Sequence, residues 1–152
     1  MSPRFVIVED DHLQKGPLEA NLQAAFAGAQ ITTFISEHQF SENIHTLQNS
    51  PPDLILMDVM LRWTIPSPNS PAPPAEVAEG GYYRAGLRCA NLLLANERLR
   101  QVPVVLYTIL EQADLERDGN RLPANCSYVG KSGDIEVLLR KARALIGKGA
   151  SR

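Results

Sequence analysis

The sequence is poor in several features that would point to specialised classes of protein. Only two of its 152 residues are cysteine, and Cys89 and Cys126 lack the paired spacing of a zinc site or a redox motif. The first apolar run, Phe5 to Val8, is too short for a signal peptide or a membrane span. No charge of one sign dominates, since 15 basic residues stand against 17 acidic ones. We therefore expect neither nucleic acid nor a membrane as a partner.

The apolar content, by contrast, is that of an ordinary folded domain. Hydrophobic residues make up 44% of the chain, which suffices for a core in a protein of this length. One stretch is unusual, because five of the eleven prolines fall close together in mid-chain. They are Pro66, Pro68, Pro71, Pro73 and Pro74. This stretch is either a linker between two domains or a loop inside one.

Five short runs of apolar and β-branched residues are predicted to be strands. They are Phe5–Val8, Ile31–Ile35, Leu54–Met57, Val104–Thr108 and Ser127–Gly130. Segments with helical spacing lie between them; residues 135–146 are the most amphipathic, and 111–123 are a weaker helix prediction. Ser36 and Gln39 form a capping-box pattern before the second helix. The alternation predicts a flavodoxin-like (βα)5 fold, a doubly wound parallel sheet of five strands.

Chemically active side chains stand where the predicted strands end. Glu9, Asp10 and Asp11 follow the first strand, Asp58 follows the third, Thr108 ends the fourth, and Lys131 follows the fifth. In such sheets ligands bind beyond the carboxyl ends of the strands. Clustered carboxylates need a counter-charge, and a divalent ion with oxygen ligands such as Mg²⁺ suits them. A nearby lysine and hydroxyl would suit a phosphoryl group on Asp58.

Four motifs in this order resemble those of the receiver domain of response regulators in two-component signalling. Glu9 and Asp10, within VIVEDD, look like the acidic pair that holds the metal ion. Asp58, within LILMDVML, looks like the phosphoacceptor aspartate. The resemblance extends over residues 4 to about 147, which is nearly the whole chain.

The second half of the chain carries the other two motifs. Thr108, at the end of PVVLYT, matches the residue that presents the switch hydroxyl of receivers. In YVGK, Tyr128 matches the aromatic switch residue and Lys131 the lysine that pairs with phosphate. Each motif alone is weak evidence, whereas four at the right strand ends are strong evidence.

The resemblance implies a phosphoacceptor function. Asp58 would accept a phosphoryl group from a phosphohistidine on a sensor histidine kinase or a histidine phosphotransfer protein. Mg²⁺ would be bound by Glu9, Asp10, Asp58 and the backbone carbonyl of Met60, and Lys131 would pair with the phosphoryl group. The protein would be a phosphoacceptor that promotes its own phosphorylation and dephosphorylation, and not an enzyme with a separate substrate.

The resemblance also implies a switch. Thr108 would turn to hydrogen-bond the phosphoryl group, and Tyr128 would turn into the space that the threonine leaves. The surface that changes would be built from the fourth helix, the fifth strand and the fifth helix. Through it the protein would bind a downstream target protein whose identity the sequence does not specify.

Three alternatives come from other classes of protein. The first is a receiver-like interaction module that is not phosphorylated in the cell. The second is a phosphatase of the aspartyl-phosphate type, which needs a nucleophile in a DxD motif that the sequence EDDH after the first strand does not supply. The third is a flavin carrier, but acids after the first strand would repel the FMN phosphate. The complete set of strand-end residues favours the phosphorylated receiver.

Three residues depart from the usual receiver pattern. Ser132 follows Lys131 where receivers carry a proline with a cis bond, so the serine bond is either trans or strained. Ile109 follows Thr108 where a small residue is common, and its bulk could shield the acyl phosphate from water or hinder a partner. Arg62 stands four places after Asp58 where proline is usual.

The proline-rich stretch is a fourth departure. The glycine that begins the third helix of receivers corresponds to Gly86, so residues 63–84 contain an insertion of about twenty residues. Its composition predicts an extended loop with little helix. It is either a tolerated surface loop or a partner-binding or lid element over Asp58, with Trp63, Tyr82 and Tyr83 as anchors.

Placing the strands decides the domain organisation that we predict. Acids from the first half and Thr108 and Lys131 from the second belong to one edge of one sheet. We therefore expect a single stand-alone domain over residues 1–152 with its core in 4–147. We also expect a cytoplasmic location, because the sequence has no predicted signal or membrane segment.

Overall fold

The computed structural model of the chain describes residues 2–150, except for the side chains of residues 118, 149 and 150. Its strands are β1 (Arg4–Val8), β2 (Gln30–Phe34), β3 (Leu54–Met57), β4 (Val104–Thr108) and β5 (Cys126–Gly130). They form one sheet in the order β2-β1-β3-β4-β5, and every pair of neighbours is parallel. The predicted flavodoxin-like (βα)5 fold is confirmed.

Helices flank both faces of this sheet. They are α1 (His12–Ala25), α2 (Glu37–Glu42), α3 (Ile44–Asn49), α4 (Ala75–Gly80), α5 (Ala85–Leu94), α6 (Gln112–Leu115) and α7 (Ile135–Ala150). Two short 3₁₀ helices occupy Tyr82–Arg84 and Arg117–Gly119. None of the helices within the described part of the chain is long and apolar enough to span a membrane.

Two helix predictions need correction. The second helix, predicted from the helical spacing of Phe40, Ile44 and Leu47, is two helices. The side-chain amide of Asn43 donates to the carbonyl of Gln39, and the first of the two helices ends there. The start of α2 is as predicted, since the Ser36 hydroxyl accepts the N–H of Gln39 at 3.0 Å. Residues 111–123 form only one short helix and a 3₁₀ turn, which ends at Gly119 with a positive φ of 78°.

The core lies on both faces of the sheet. All four residues of β3 are at most 1% exposed, and their side chains alternate between the two layers. Ile55 and Met57 pack towards α5, whereas Leu54 and Leu56 pack towards α1 and α7. Full burial of one such side chain is worth about 2 kcal/mol, so the central strand is firmly held.

The proline-rich segment emerges as a loop between β3 and α5. The N–H of Leu61 donates to the carbonyl of Tyr82 at 3.2 Å, which closes the base of the loop. Residues 64–74 contain no helix, as predicted, but α4 follows them directly. Strands from both sides of the loop join the same sheet, so the segment does not separate two sheets.

Gly86 fixes where the chain returns to the sheet. Its N–H donates to the carbonyl of Val59 at 2.9 Å. A Cβ atom at this position would lie 2.2 Å from the carbonyl oxygen of Asp58 and 2.7 Å from the Cα of Val59. Only glycine lets α5 begin this close to the end of β3.

Candidate functional site

Sheet hydrogen bonds continue one residue past three of the strands and so position the side chains at their ends. Glu9 N–H donates to Phe34 at 3.0 Å, Asp58 N–H to Val8 at 2.9 Å, and Lys131 N–H to Thr108 at 2.9 Å. Because the backbone is held to this point, the three side chains emerge at fixed places on one edge of the sheet. The predicted meeting of distant residues at this edge is therefore what the structure shows.

Lys131 lies at the centre of the group. Its Nζ atom lies 2.5 Å from an oxygen of Glu9 and 3.0 Å from Oδ2 of Asp58. It also donates to the side-chain oxygen of Gln14 on α1. The side chains of Lys131, Glu9 and Asp58 are only 10%, 4% and 9% exposed, so these charges act through little water.

The buried acids alter each other's protonation. Burial, together with the hydrogen bond and the charge of Asp58, raises the pKa of Glu9 to about 7, although Lys131 acts to lower it. Burial alone would lower the pKa of Lys131, but Asp58 and Glu9 hold it above its usual value. Lys131 alone therefore does not balance the negative charge of the two buried carboxyl groups beside it.

Three carboxylates of the group are arranged as a cation site would need. One oxygen each from Glu9, Asp10 and Asp58 lies within 4.8 Å of the other two. All are hard oxygen donors and two belong to buried residues, so the donor set fits Mg²⁺. Asp11 has a different function, because its side chain caps α1 by accepting the N–H of Leu13 at 2.9 Å.

A cleft of about 330 Å³ opens over this group. It is lined by Glu9, Asp10, Asp11, Gln14, Asp58, Met60, Tyr82, Ile109 and Lys131. Met60 donates its N–H to Oδ1 of Asp58 at 3.3 Å, while the function of its carbonyl as a metal ligand stays a prediction. Ile109 is 66% exposed and lines the cleft; that its bulk shields an acyl phosphate or hinders a partner stays a prediction.

The two predicted switch residues are connected through the backbone of Leu110. The hydroxyl of Thr108, which is fully buried, accepts the N–H of Leu110 at 3.2 Å. The hydroxyl of Tyr128 donates to the carbonyl of Leu110 at 2.6 Å. A rotation of Thr108 would therefore disturb the residue that holds Tyr128. Leu110 carries no sequence signal for this link, since only its backbone takes part.

Two of the departures have a structural explanation. The Lys131–Ser132 bond is trans, so the loop carries no cis bond at a residue other than proline. Arg62 donates its N–H to Oδ2 of Asp10 at 3.1 Å, a bond that a proline at this position could not make. Its guanidinium lies 3.4 Å from the same oxygen.

The proposed anchors of the loop lie in different places. Trp63 packs on the ring of His38 with centroids 4.9 Å apart and donates to the carbonyl of Pro71. Tyr82 lines the cleft over Asp58 and stacks on Tyr83 with centroids 4.1 Å apart. Only Tyr82 of the three lines that cleft, so a lid function for the described loop would depend on this residue.

Sequence reasoning missed a buried ion pair that binds the loop to the domain. Arg88 on α5 donates two hydrogen bonds of 2.7 Å to Glu37 on α2 and a third to the carbonyl of Gly81 at the end of α4. The carbonyls of Arg62 and Trp63 also accept the first N–H groups of α2. Nothing in the spacing of these residues along the chain indicates the contacts.

Comparisons with known proteins agree with this architecture. No protein-family model matches the chain, and no curated protein matches it. The receiver domain of a sensor histidine kinase from Pseudomonas aeruginosa, solved with a magnesium ion in its active-site cleft, is similar with a TM-score of 0.67 and 21% identity over 97% of this chain and 99% of that one. At 21% identity, this similarity shows that the two chains share a fold.

Two further solved structures give the same result. The signal receiver domain of a histidine kinase from Syntrophus aciditrophicus aligns with a TM-score of 0.68 and 22% identity, over 97% of this chain and 92% of that one. The phosphorylated cyanobacterial phytochrome response regulator RcpA aligns with a TM-score of 0.66 and 18% identity, over 95% and 91%. These three structural neighbours are thus two receiver domains and a response regulator.

Proposed function

We propose that this protein is a phosphorylatable receiver that takes a phosphoryl group onto Asp58 from a phosphohistidine. The donor would be a sensor histidine kinase or a histidine phosphotransfer protein. The observation that carries the proposal is the placement of Lys131 against both Asp58 and Glu9, beside three carboxylate oxygens within 4.8 Å of one another. A buried nucleophile, a paired cation and a hard-cation site thus occupy one cleft.

Each residue of the cleft would have a separate function in phosphoryl transfer. A carboxylate oxygen of Asp58 attacks phosphorus, the P–N bond to the donor histidine breaks, and the leaving nitrogen keeps the electron pair. Lys131 holds Asp58 in place and then pairs with an oxygen of the transferred group. Mg²⁺, held by Glu9, Asp10, Asp58 and the Met60 carbonyl, would neutralise charge on that group.

Phosphorylation would be reported through Leu110. When the hydroxyl of Thr108 turns to the phosphoryl oxygens, it gives up the N–H of Leu110, and the bond from Tyr128 to the carbonyl of Leu110 is weakened. Tyr128 is then free to turn. The face of α6, β5 and α7 would change in this way and bind a downstream protein, so the protein would act as a phosphoacceptor and not as an enzyme on a separate substrate.

Fluorescence of Trp63, the only tryptophan, tests the proposal. Trp63 lines a groove together with Asp10, Arg62 and Tyr82, so it adjoins the cation site. We expect a saturable change with Mg²⁺ and a second change with beryllofluoride, a phosphoryl mimic, and loss of the second in Asp58→Asn. A wild-type protein that binds Mg²⁺ but does not respond to beryllofluoride would favour the unphosphorylated interaction module.

A further inference from the structure

Asp10 has a cationic partner of its own in the structure. The backbone N–H of Arg62 donates to Oδ2 of Asp10 at 3.1 Å, and Nε of the same arginine lies 3.4 Å from that oxygen. The Arg62 side chain is 51% exposed, whereas that of Asp10 is 20% exposed. One carboxylate oxygen thus receives both a backbone donor and a charged side chain from a single residue.

The two cations of the site differ in how firmly they are held. Lys131 has a 10% exposed side chain and contacts Glu9 and Asp58 together. Arg62 makes one longer contact from a half-exposed position. Because Arg62 can withdraw into water at little cost, it is the cation that an incoming metal ion can displace.

We propose that Arg62 is a resident counter-ion that lowers the affinity of the site for divalent cations by competing for Asp10. The inference rests on the proposed function, since it assumes that Glu9, Asp10 and Asp58 bind the cation. The guanidinium of Arg62 pairs with the carboxylate of Asp10, which the metal ion also needs as a ligand. At this short distance its positive charge also repels the metal ion. Arg62 therefore sets the Mg²⁺ concentration at which the receiver becomes competent.

The geometry separates this effect from simple positioning of Asp10. Removing a group that only orients a metal ligand typically weakens metal binding. Here the shorter bond to Asp10 comes from the backbone N–H of Arg62, which every substitution except proline retains. Replacing the side chain therefore removes the charge and keeps the donor that orients Asp10.

Isothermal titration of the metal-free protein with MgCl₂ tests the proposal, because calorimetry is independent of Trp63 beside the substituted residue. Arg62→Gln should bind Mg²⁺ about three- to tenfold more tightly than the wild type, because a repulsive charge is gone. Arg62→Lys keeps the charge and should stay within about twofold of the wild type. Arg100→Gln is the matched control, since Arg100 is exposed, lies before β4 at the opposite edge of the sheet, and changes the net charge equally.

The salt dependence of Mg²⁺ affinity is a second test. If Arg62 acted only by holding the structure of the site, ionic strength would not alter the difference between the variants. The difference between wild type and Arg62→Gln should narrow as ionic strength rises, because a half-exposed charge is screened. Equal or weaker binding by Arg62→Gln, or binding by Arg62→Lys as tight as by Arg62→Gln, would overturn the proposal. If the wild type responds to beryllofluoride in that case, the receiver function stands and only the function of Arg62 is refuted. Absence of Mg²⁺ binding in every variant would overturn both.

Discussion

Among single residues, Glu9 shows most clearly how the fold alters side-chain chemistry. Its backbone follows β1 and its carboxyl group is buried beside Asp58, with Lys131 as the shared cation. The two buried carboxyl groups share one ammonium group, so one negative charge is left without a partner when both are ionised. This excess of negative charge contributes to the raised pKa of Glu9 and also favours binding of a divalent cation, which must displace the proton from Glu9.

The first prediction concerns the pKa of Glu9. In the metal-free protein the Glu9 carboxyl should titrate near pH 7, and in Asp58→Asn it should titrate at lower pH, because the charge of Asp58 contributes to the shift. Since the pKa of Glu9 in the folded protein lies above its ordinary value of 4.5, protonation of this group favours the folded state at low pH. That contribution is lost as pH rises through about 7. Carbon-detected NMR titration measures the midpoint; a wild-type value near 4.5 would contradict the account.

The second prediction concerns Gly86. Gly86→Ala should lower the free energy of unfolding by about 2 to 3 kcal/mol, because the new Cβ meets backbone that cannot move aside. Gly147→Ala is the control, since a Cβ there has nothing within 4 Å and the position is inside α7. It should stabilise by about 0.5 to 1 kcal/mol. Urea denaturation of both variants measures the two changes in the free energy of unfolding. Equal changes would show that the backbone at Asp58 and Val59 can move away from a Cβ atom at position 86.

The site residues that could be predicted from the sequence are those that follow the ends of strands. Glu9, Asp58 and Lys131 were placed together because parallel strands end at a common edge, a rule that needs no side-chain detail. The contacts of Gln14 and Arg62 were not predicted, because each depends on the side-chain conformation of a long polar residue. An i, i+3 spacing after the helix cap Asp11 was the one available signal for Gln14.

At the scale of elements, the ion pair of Glu37 and Arg88 joins α2, α5 and the end of α4. Arg88→Ala should destabilise the protein by about 3 kcal/mol, because it leaves a buried carboxylate without its cation. Arg117→Ala is the control, since its pair with Asp114 is exposed and should be worth at most about 1 kcal/mol. Thermal or urea unfolding distinguishes the two. Similar losses in both variants would mean that burial does not govern the strength of these pairs.

The position of Tyr82 in the loop between β3 and α5 leads to a prediction about the lifetime of the phosphorylated state. Tyr82 lines the cleft over Asp58, so Tyr82→Ala should admit water and speed dephosphorylation by about threefold. Tyr83, its stacked neighbour, does not line the cleft, and Tyr83→Ala should leave the rate within error of the wild type. Loss of phosphate label over time measures both rates. Equal rates in all three proteins would leave the loop as a tolerated surface element.

Elements were predicted well where burial is strong and less well elsewhere. The four residues of β3 are buried on both faces and gave an unambiguous strand, whereas the break at Asn43 depends on one side-chain hydrogen bond. Residues 111–123 are polar and have a weak period, so their short helices could not be read from the pattern. The helix α4 follows five clustered prolines, a composition that indicates an extended chain and conceals what comes next.

At the scale of the whole molecule, the sheet order explains why residues far apart in the sequence meet at one site. The central strands β1, β3 and β4 bring residues from positions 9, 58 and 108 to one edge, and β5 adds position 131. Arg62 contacts Asp10 at this edge, and Tyr82 lines the cleft there. The central question is therefore whether Asp58 at this edge accepts a phosphoryl group.

Intact-mass spectrometry after incubation with a small phosphodonor such as acetyl phosphate and Mg²⁺ tests this most directly. We expect an adduct of one phosphoryl group, and peptide mapping should locate it on Asp58. The adduct should be absent in Asp58→Asn and when Mg²⁺ is chelated. No adduct on the wild-type protein under conditions where Mg²⁺ binding is saturated, or an adduct that persists in Asp58→Asn, would contradict this expectation.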